Sequence, residues 1–362
     1  ATLADQVGEQ LGEPDAVLVF DPSGFAKKGV KSVGVARQWC GRLGKVDHCQ
    51  VGLSMAYVSR KEPAIVNTRL YLPEEWTKDR GRREEAGVPE PLAFQTRPGL
   101  ALEMLQECGG RLPHAWVAGD DEMGRPSSFR QELRDANERY LLAVPSNLLI
   151  RDLEVAPPEY AGRGPHPKVP FTRWDRWCKA LPESAWTRID VRDGEKGPLV
   201  IEAVTRRIQA RTETGGTGPE ELLYLTRVRQ ADGRYQHDYY FSNADAGTSL
   251  KERARVAKAE HRVEECFERA KGEAGLADDQ GRNGMAWHHH QTLALLAAWF
   301  LTQETWRGKN PDPCADVAAT SGAHRGRDRV SPRHQSPIFS LSPKYPLATT
   351  QRTSTPVCTS FT

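Results

Sequence analysis

The feature that most limits how this chain can fold is a short apolar run, AVLVF at Ala16 to Phe20, which stops abruptly at DPSGF. Consecutive apolar residues followed by turn formers predict a buried strand that ends at Asp21 and enters a turn through Pro22, Ser23 and Gly24. CQVGLSMAYVS (Cys49 to Ser59) and AIVNTRLYLP (Ala64 to Pro73) also have strand character and are close enough in sequence to pair as an antiparallel hairpin beside the first strand. LALEMLQECGGRL then shows helical spacing and stops at Gly109 and Gly110, and AWVAGDD forms a short strand ending at Asp120. SSFRQELRDANE predicts a helix capped by Ser127 or Ser128, and RYLLAVPSN a further strand. The order β-β-β-α-β-α-β suits a mixed sheet with helices packed on its faces.

From Trp186 to Asn243 the pattern turns to β: WTRIDVRD, PLVIEAVTRRIQAR, the hairpin tip TETGGTGPE, LLYLTRVRQ, a turn at Asp232 and Gly233, and YQHDYYFSN. The charged segment SLKERARVAKAEHRVEECFERAKGEAGL returns to a helix, with Val256, Val263, Phe267, Ala270 and Ala274 along one face. HQTLALLAAWFL (His290 to Leu301) reads as a second, mostly buried helix. Residues 307–362 are rich in Pro, Ser, Thr and Arg without an apolar period and are expected to be disordered.

With 50 basic against 48 acidic residues, a net charge of +2, the chain does not bind nucleic acid through bulk charge. Any DNA contact must use local patches, and the candidates are Lys78 to Arg83, the stretch ending at Arg211, and Lys27 with Lys28. Seven scattered cysteines, never spaced C-x-x-C, argue against a disulfide framework and a zinc ribbon. No long apolar run and no signal-peptide pattern at Ala1 to Gln10 are present, so a cytoplasmic protein without a membrane partner is expected. His288, His289 and His290 point about 100° apart on a helix and cannot converge on one ion. TETGGTGPE lacks the Lys and hydroxyl residue of a P-loop.

The chemistry therefore rests on carboxylates: Asp21 and Asp120 at strand ends, and a glutamate on the helix after the β-rich segment. Such acids can hold two metal ions that activate an attacking water or DNA hydroxyl and stabilise the departing oxygen at a phosphodiester. Taken singly, an Asp after a strand is more often a turn residue or helix cap. On these segments the chain resembles the insertion-sequence DNA transposases of the DDE superfamily endonucleases, in the branch with a Tyr-Arg-Glu-Lys signature, from about residue 14 to residue 305. DPSGFAKKGVKSVGVARQWCGRLGKVDHCQVGLSMAYVS resembles the first-aspartate segment, with Ser23 two positions after Asp21. WVAGDDEMGRPSSFRQEL resembles the second; its frame selects Asp120, with Met123 in place of an aromatic residue and Asp121 as the alternative. HRVEECFERAKGEAGL is similar to the glutamate helix, where Glu264 and Lys271 fit the family frame. These two differ by only about 20° on a helical wheel.

The resemblance implies an α/β fold, an RNase H-like mixed sheet flanked by helices, with a β-rich insertion between the second Asp and the Glu helix. It divides the chain into the first part of the catalytic core (1–185), the inserted β-rich subdomain (186–247), the core helices carrying the Glu (248–306) and the tail (307–362). It implies two Mg²⁺ (or Mn²⁺) ions on Asp21, Asp120 and Glu264, and DNA phosphates on Lys271, Lys27 and Lys28. The implied partner is double-stranded DNA, at the element's terminal inverted repeats and at the target, and a homodimer is compatible with it. The setting implied is the bacterial cytoplasm, at the nucleoid. Two departures stand out: the family's Arg and Tyr before the glutamate are Glu260 and Ala257 here. Glu260 shares the stripe of Glu264, so it should repel DNA and its neighbour unless metal binds between them. With the first catalytic strand starting near residue 16, the helical DNA-recognition region usual ahead of it is expected to be missing, which favours a non-catalytic DNA-binding remnant as the alternative.

Overall fold

β1 (Val17–Ala26), β2 (Ala36–Cys40), β3 (Lys45–Val58) and β4 (Pro63–Tyr71) follow an opening helix, α1 (Leu3–Leu11), in a computed structural model that describes residues 2–90, 93–194 and 197–309. The expected disordered tail falls, from residue 310 onward, outside the described residues. Three helices come next, α2 (Glu74–Lys78), α3 (Arg80–Glu85) and α4 (Arg97–Cys108), then β5 (Trp116–Gly119), α5 (Asp121–Gly124), α6 (Ser127–Asp135), β6 (Tyr140–Ala143), β7 (Leu149–Asp152), β8 (Thr172–Arg173) and α7 (Trp174–Lys179). The β-rich stretch supplies β9 (Thr187–Gly194), β10 (Gly197–Arg211), β11 (Thr217–Arg229) and β12 (Tyr235–Ser242), and the chain closes with α8 (Leu250–Ala257), α9 (Ala259–Glu273) and α10 (Gly284–Lys309).

All the strands belong to one mixed sheet, with β1 between β3 (antiparallel) and β5 (parallel), and β6 parallel to β5. With β4 on β3, this is the RNase H-like arrangement that the order of elements predicts. The β-rich stretch continues the same sheet: β12 pairs with β6, then β11 and β10 follow, and β7 closes onto β10. Helices cover both faces. Val17 and Val19 face the layer containing Val263 and Phe267 of α9, while Leu18 and Phe20 face Ala101 and Met104 of α4 and Phe129 of α6. This alternation is the period of two that a pleated strand imposes. No described helix is long and apolar enough to cross a membrane.

Several local expectations change. β1 does not end at Asp21 but runs to Ala26, paired residue by residue with β3. Pro22 is tolerated because β5 covers only Val17–Phe20, which leaves β1 with an open edge beyond. Gly24 makes no turn; an added Cβ there would lie 3.1 Å from Cys40 Sγ, so the glycine permits β2 to approach. α6 opens at Ser127 after Pro126, and the Ser127 N–H and hydroxyl donate to Glu213 at the β10–β11 hairpin tip, 3.0 and 2.6 Å away. The long charged helix is two helices, broken at Lys258. α10 is not mostly buried: Trp287, Ala294, Ala298 and Trp299 face inward, but Met285, Leu293, Leu296 and Phe300 stand exposed on its outer side.

Candidate functional site

The parallel pairing of β1 and β5 sets Phe20 opposite Gly119, so the next residue of each chain segment, Asp21 and Asp120, lies at the same level of the sheet. The period of two places Asp21 and Ser23 on the face of Val17 and Val19, which α9 covers. Asp120 caps α5: its Oδ1 accepts from the backbone N–H groups of Glu122 (3.1 Å) and Met123 (3.2 Å). This short helix is pressed against β6, where a Cβ on Gly124 would come within 1.8 Å of the Ala143 carbonyl oxygen. Asp121, the alternative second acid, is exposed in the first turn of α5.

Several acids gather at this site. Desolvation raises the pKa of Asp120 well above the ordinary aspartate value, and Asp21, Glu260 and Glu122 push it further in that order, against the opposing hydrogen bond from Met123. Glu260 also helps to raise the Tyr240 hydroxyl pKa, behind burial and Asp238. At the other end of α9, Lys271 Nζ donates to Ser23 Oγ (3.3 Å) and lies 5.1 Å from the Phe267 ring centroid. Burial lowers the Lys271 pKa; Asp21 acts against that shift and Arg42 adds to it. Glu264 lies between these ends, with its Oε2 3.4 Å from His261 Nδ1.

The structure thus brings Asp21, Asp120 and Lys271 to one place, with Glu260 as the α9 acid whose charge reaches Asp120. Glu260 departs from the family frame in the sequence, and the signal for it there is its position on the stripe of Glu264. Lys27 Nζ donates to the Asp279 carbonyl oxygen (2.5 Å) and Oδ2 (3.2 Å) in a largely buried pair. Lys28 is exposed. The basic run at 78–83 is paired locally, Lys78 with Glu74, Arg80 with Glu84 and Arg83 with Glu90. Arg206 and Arg207 similarly face Glu154 and Glu220.

The donors at this site are carboxylate oxygens, the hard ligands that Mg²⁺ and Mn²⁺ prefer, and the acids near the buried Asp120 carry charge of the sign a divalent cation would relieve. In donor chemistry and charge the residues fit such an ion. Among the described residues no three His, Cys, Asp or Glu side chains are drawn close enough together to hold one.

The sequence model of the DDE superfamily endonucleases matches residues 1–198, more than half of the chain. Among solved structures the chain is similar to a piggyBac transposase synaptic complex with hairpin DNA, at 12% identity and a TM-score of 0.33, over 88% of this chain and 60% of that one. The chain therefore spans less than two thirds of the length of that transposase chain. No curated protein matches.

Proposed function

This chain belongs to the DDE superfamily endonucleases, and from that premise we propose that it is an insertion-sequence transposase that cuts DNA at its element's terminal inverted repeats and joins the ends to a target. The observation that carries this reading is the placement of Asp21 and Asp120 at the same level of β1 and β5, each just after the last paired residue, with burial first and neighbouring acids second raising the Asp120 pKa. In this reading Asp21, Asp120 and Glu264 hold two Mg²⁺ or Mn²⁺ ions. When bound, such ions supply Lewis-acid stabilisation of phosphate charge and lower the pKa of the attacking water or DNA hydroxyl.

The chain's own residues do the rest. The backbone N–H groups of Glu122 and Met123 fix the Asp120 carboxylate. Lys271, held by Ser23 beside Asp21, offers a cation to a DNA phosphate. The strands of 186–247 act as the inserted subdomain that helps hold the element's end, and two copies of the chain act on the two ends. Glu260 adds a negative charge beside Asp120, where the family places Arg; this specific feature supports a second reading, a catalytically inactive DNA-binding remnant.

The test is Mg²⁺- or Mn²⁺-dependent nicking of DNA carrying the element's ends, with the native chain, Glu264→Gln and Glu260→Arg. Nicking by the native chain that falls at least on the order of 10²-fold in Glu264→Gln supports the transposase. A native chain that does not nick, while Glu260→Arg does, establishes the remnant.

A further inference from the structure

β10 turns alternate residues to the two faces of the sheet. Ile201 and Ala203 lie in the layer with Val263 and Phe267 of α9, whereas Ile208 and Ala210 pack with Ile150 of β7 and Trp174 of α7 on the opposite side. The same alternation turns Gln209 and Arg211 to the face of Ile201, which is also the face of Asp21 on β1. Register carries that face across the next two strands: Arg151 of β7 pairs with Gln209, and Leu149 of β7 with Arg173 of β8. Arg173 and Arg211 are exposed there.

This patch is organised around Phe171. Arg151 Cζ lies 4.3 Å and Arg211 Cζ 5.8 Å from the Phe171 ring centroid. Arg151 Nε donates to the Val169 carbonyl (2.7 Å), and its Nη1 to Gln209 Oε1 (3.4 Å). A guanidinium stacked on a ring still has N–H groups at its edge to offer an anion. Lys168, the residue before Val169, is exposed. The acids close by in sequence are engaged elsewhere: Asp152 is buried and accepts from Trp177 Nε1 (3.1 Å), and Glu154 faces Arg206 at 3.6 Å. Among the described residues, Arg173 is the one of these four cations that faces a carboxylate, Asp175 at 2.9 Å. The basic run at 78–83 and Arg207, by contrast, are matched by local acids.

We propose that Arg151, Lys168, Arg173 and Arg211 form a second contact with duplex DNA, gripping backbone phosphates about six to seven base pairs from the one at Asp120. The strand order sets this spacing. β10 and β7 stand four and five strands from β5, roughly 19–24 Å at about 4.8 Å per strand, and each DNA strand advances ~3.4 Å per base pair. Four cations with one acid among them complement a row of phosphates, and contacts to phosphate hold a duplex without reading its sequence. The inference rests on the proposed function in taking DNA as the ligand and Asp120 as the origin of the spacing.

Binding in EDTA tests it, on a duplex of the element's end and a scrambled duplex of the same composition, across a range of salt concentrations. Lys168→Gln and Arg211→Gln should each lower the slope of log affinity against log salt by about 0.9, equally on both duplexes, with Arg211→Lys keeping the native slope. Both side chains are exposed, so neither substitution removes a core contact. Neutral methylphosphonate linkages about six to seven base pairs from the element's end should lower the native slope and leave that of the double variant unchanged. A native slope in the double variant, a loss confined to one sequence, or a methylphosphonate effect that is the same at every position overturns the proposal. So does self-association lost in the double variant while both duplexes bind normally, which would make this face a contact between copies. These readings need no cutting. A native chain that never nicks but loses slope in the variants sinks the catalytic reading and leaves this one standing, whereas a chain that nicks while the double variant keeps the native slope does the reverse.

Discussion

Two clusters of charge sit at the two ends of α5, and they are built to opposite rules. In one, Arg130 and Glu221 form a fully buried pair, with Arg130 Nε donating to Glu221 Oε1 at 2.9 Å and the Tyr140 hydroxyl donating to the same oxygen at 2.6 Å. Arg130 Nη1 also donates to the carbonyls of Gly124 and Arg125, at 2.5 and 3.0 Å. Opposite charges and satisfied donors tie α6 to β11 and fix the position of α5. In the other cluster Asp120 is buried within reach of the like charges of Asp21 and Glu260. A fold tolerates buried ions that are paired and hydrogen-bonded, whereas like charges brought together in a recess are a cost that a ligand can remove. The cluster of opposite charges is accordingly the scaffold, and the one that gathers acids is the candidate site.

Removing one partner from each cluster should therefore move stability in opposite directions. Glu221→Gln leaves Arg130 buried with a neutral partner and should cost about 3–5 kcal/mol, the scale for breaking a buried pair. Urea unfolding measures this, and a loss no larger than that of a surface substitution would show that the Arg130 cluster does not support the fold.

Asp120→Asn should instead stabilise the metal-free protein near neutral pH. The native pKa of Asp120 lies above its ordinary value of 3.8, so the native state holds this proton more tightly than the unfolded chain does. The stability from holding it is complete below 3.8 and is lost as pH rises through the raised native value. An amide avoids that loss. The melting-temperature gain of Asp120→Asn in EDTA should be largest at neutral to alkaline pH, roughly 2–4 °C for each kcal/mol relieved, and should shrink toward zero as pH falls to the ordinary aspartate range. A gain that grows on acidification would reverse the sign assigned to this site.

The same contrast explains what could be read from the sequence. β1, β3, β4 and the long hairpin strands announce themselves through apolar runs and turn residues, and both aspartates were visible as acids closing such runs. Their adjacency was not visible, because it comes from the parallel pairing of segments almost a hundred residues apart. β2 escaped notice because ARQWC is short and carries an exposed Trp where a strand signal would alternate toward the core. α1, with its Thr2 capping box, is short, and its few apolar residues among polar ones give a weak periodic signal. The break at Lys258 has no Gly or Pro to mark it. The stretch Leu293–Leu301 of α10 is apolar at every position, which reads as buried even though one face is open. Glu260 stands in the sequence only as a departure from a family frame; the three-dimensional arrangement brings its charge to bear on Asp120.

The most direct test of the central claim is a calorimetric titration of Mn²⁺ into the metal-free native chain and into Asp120→Asn. The account predicts saturable binding by the native chain that is lost or strongly weakened in the asparagine variant. Equal binding by both, or none by the native chain, would contradict the assignment of these carboxylates to a divalent metal.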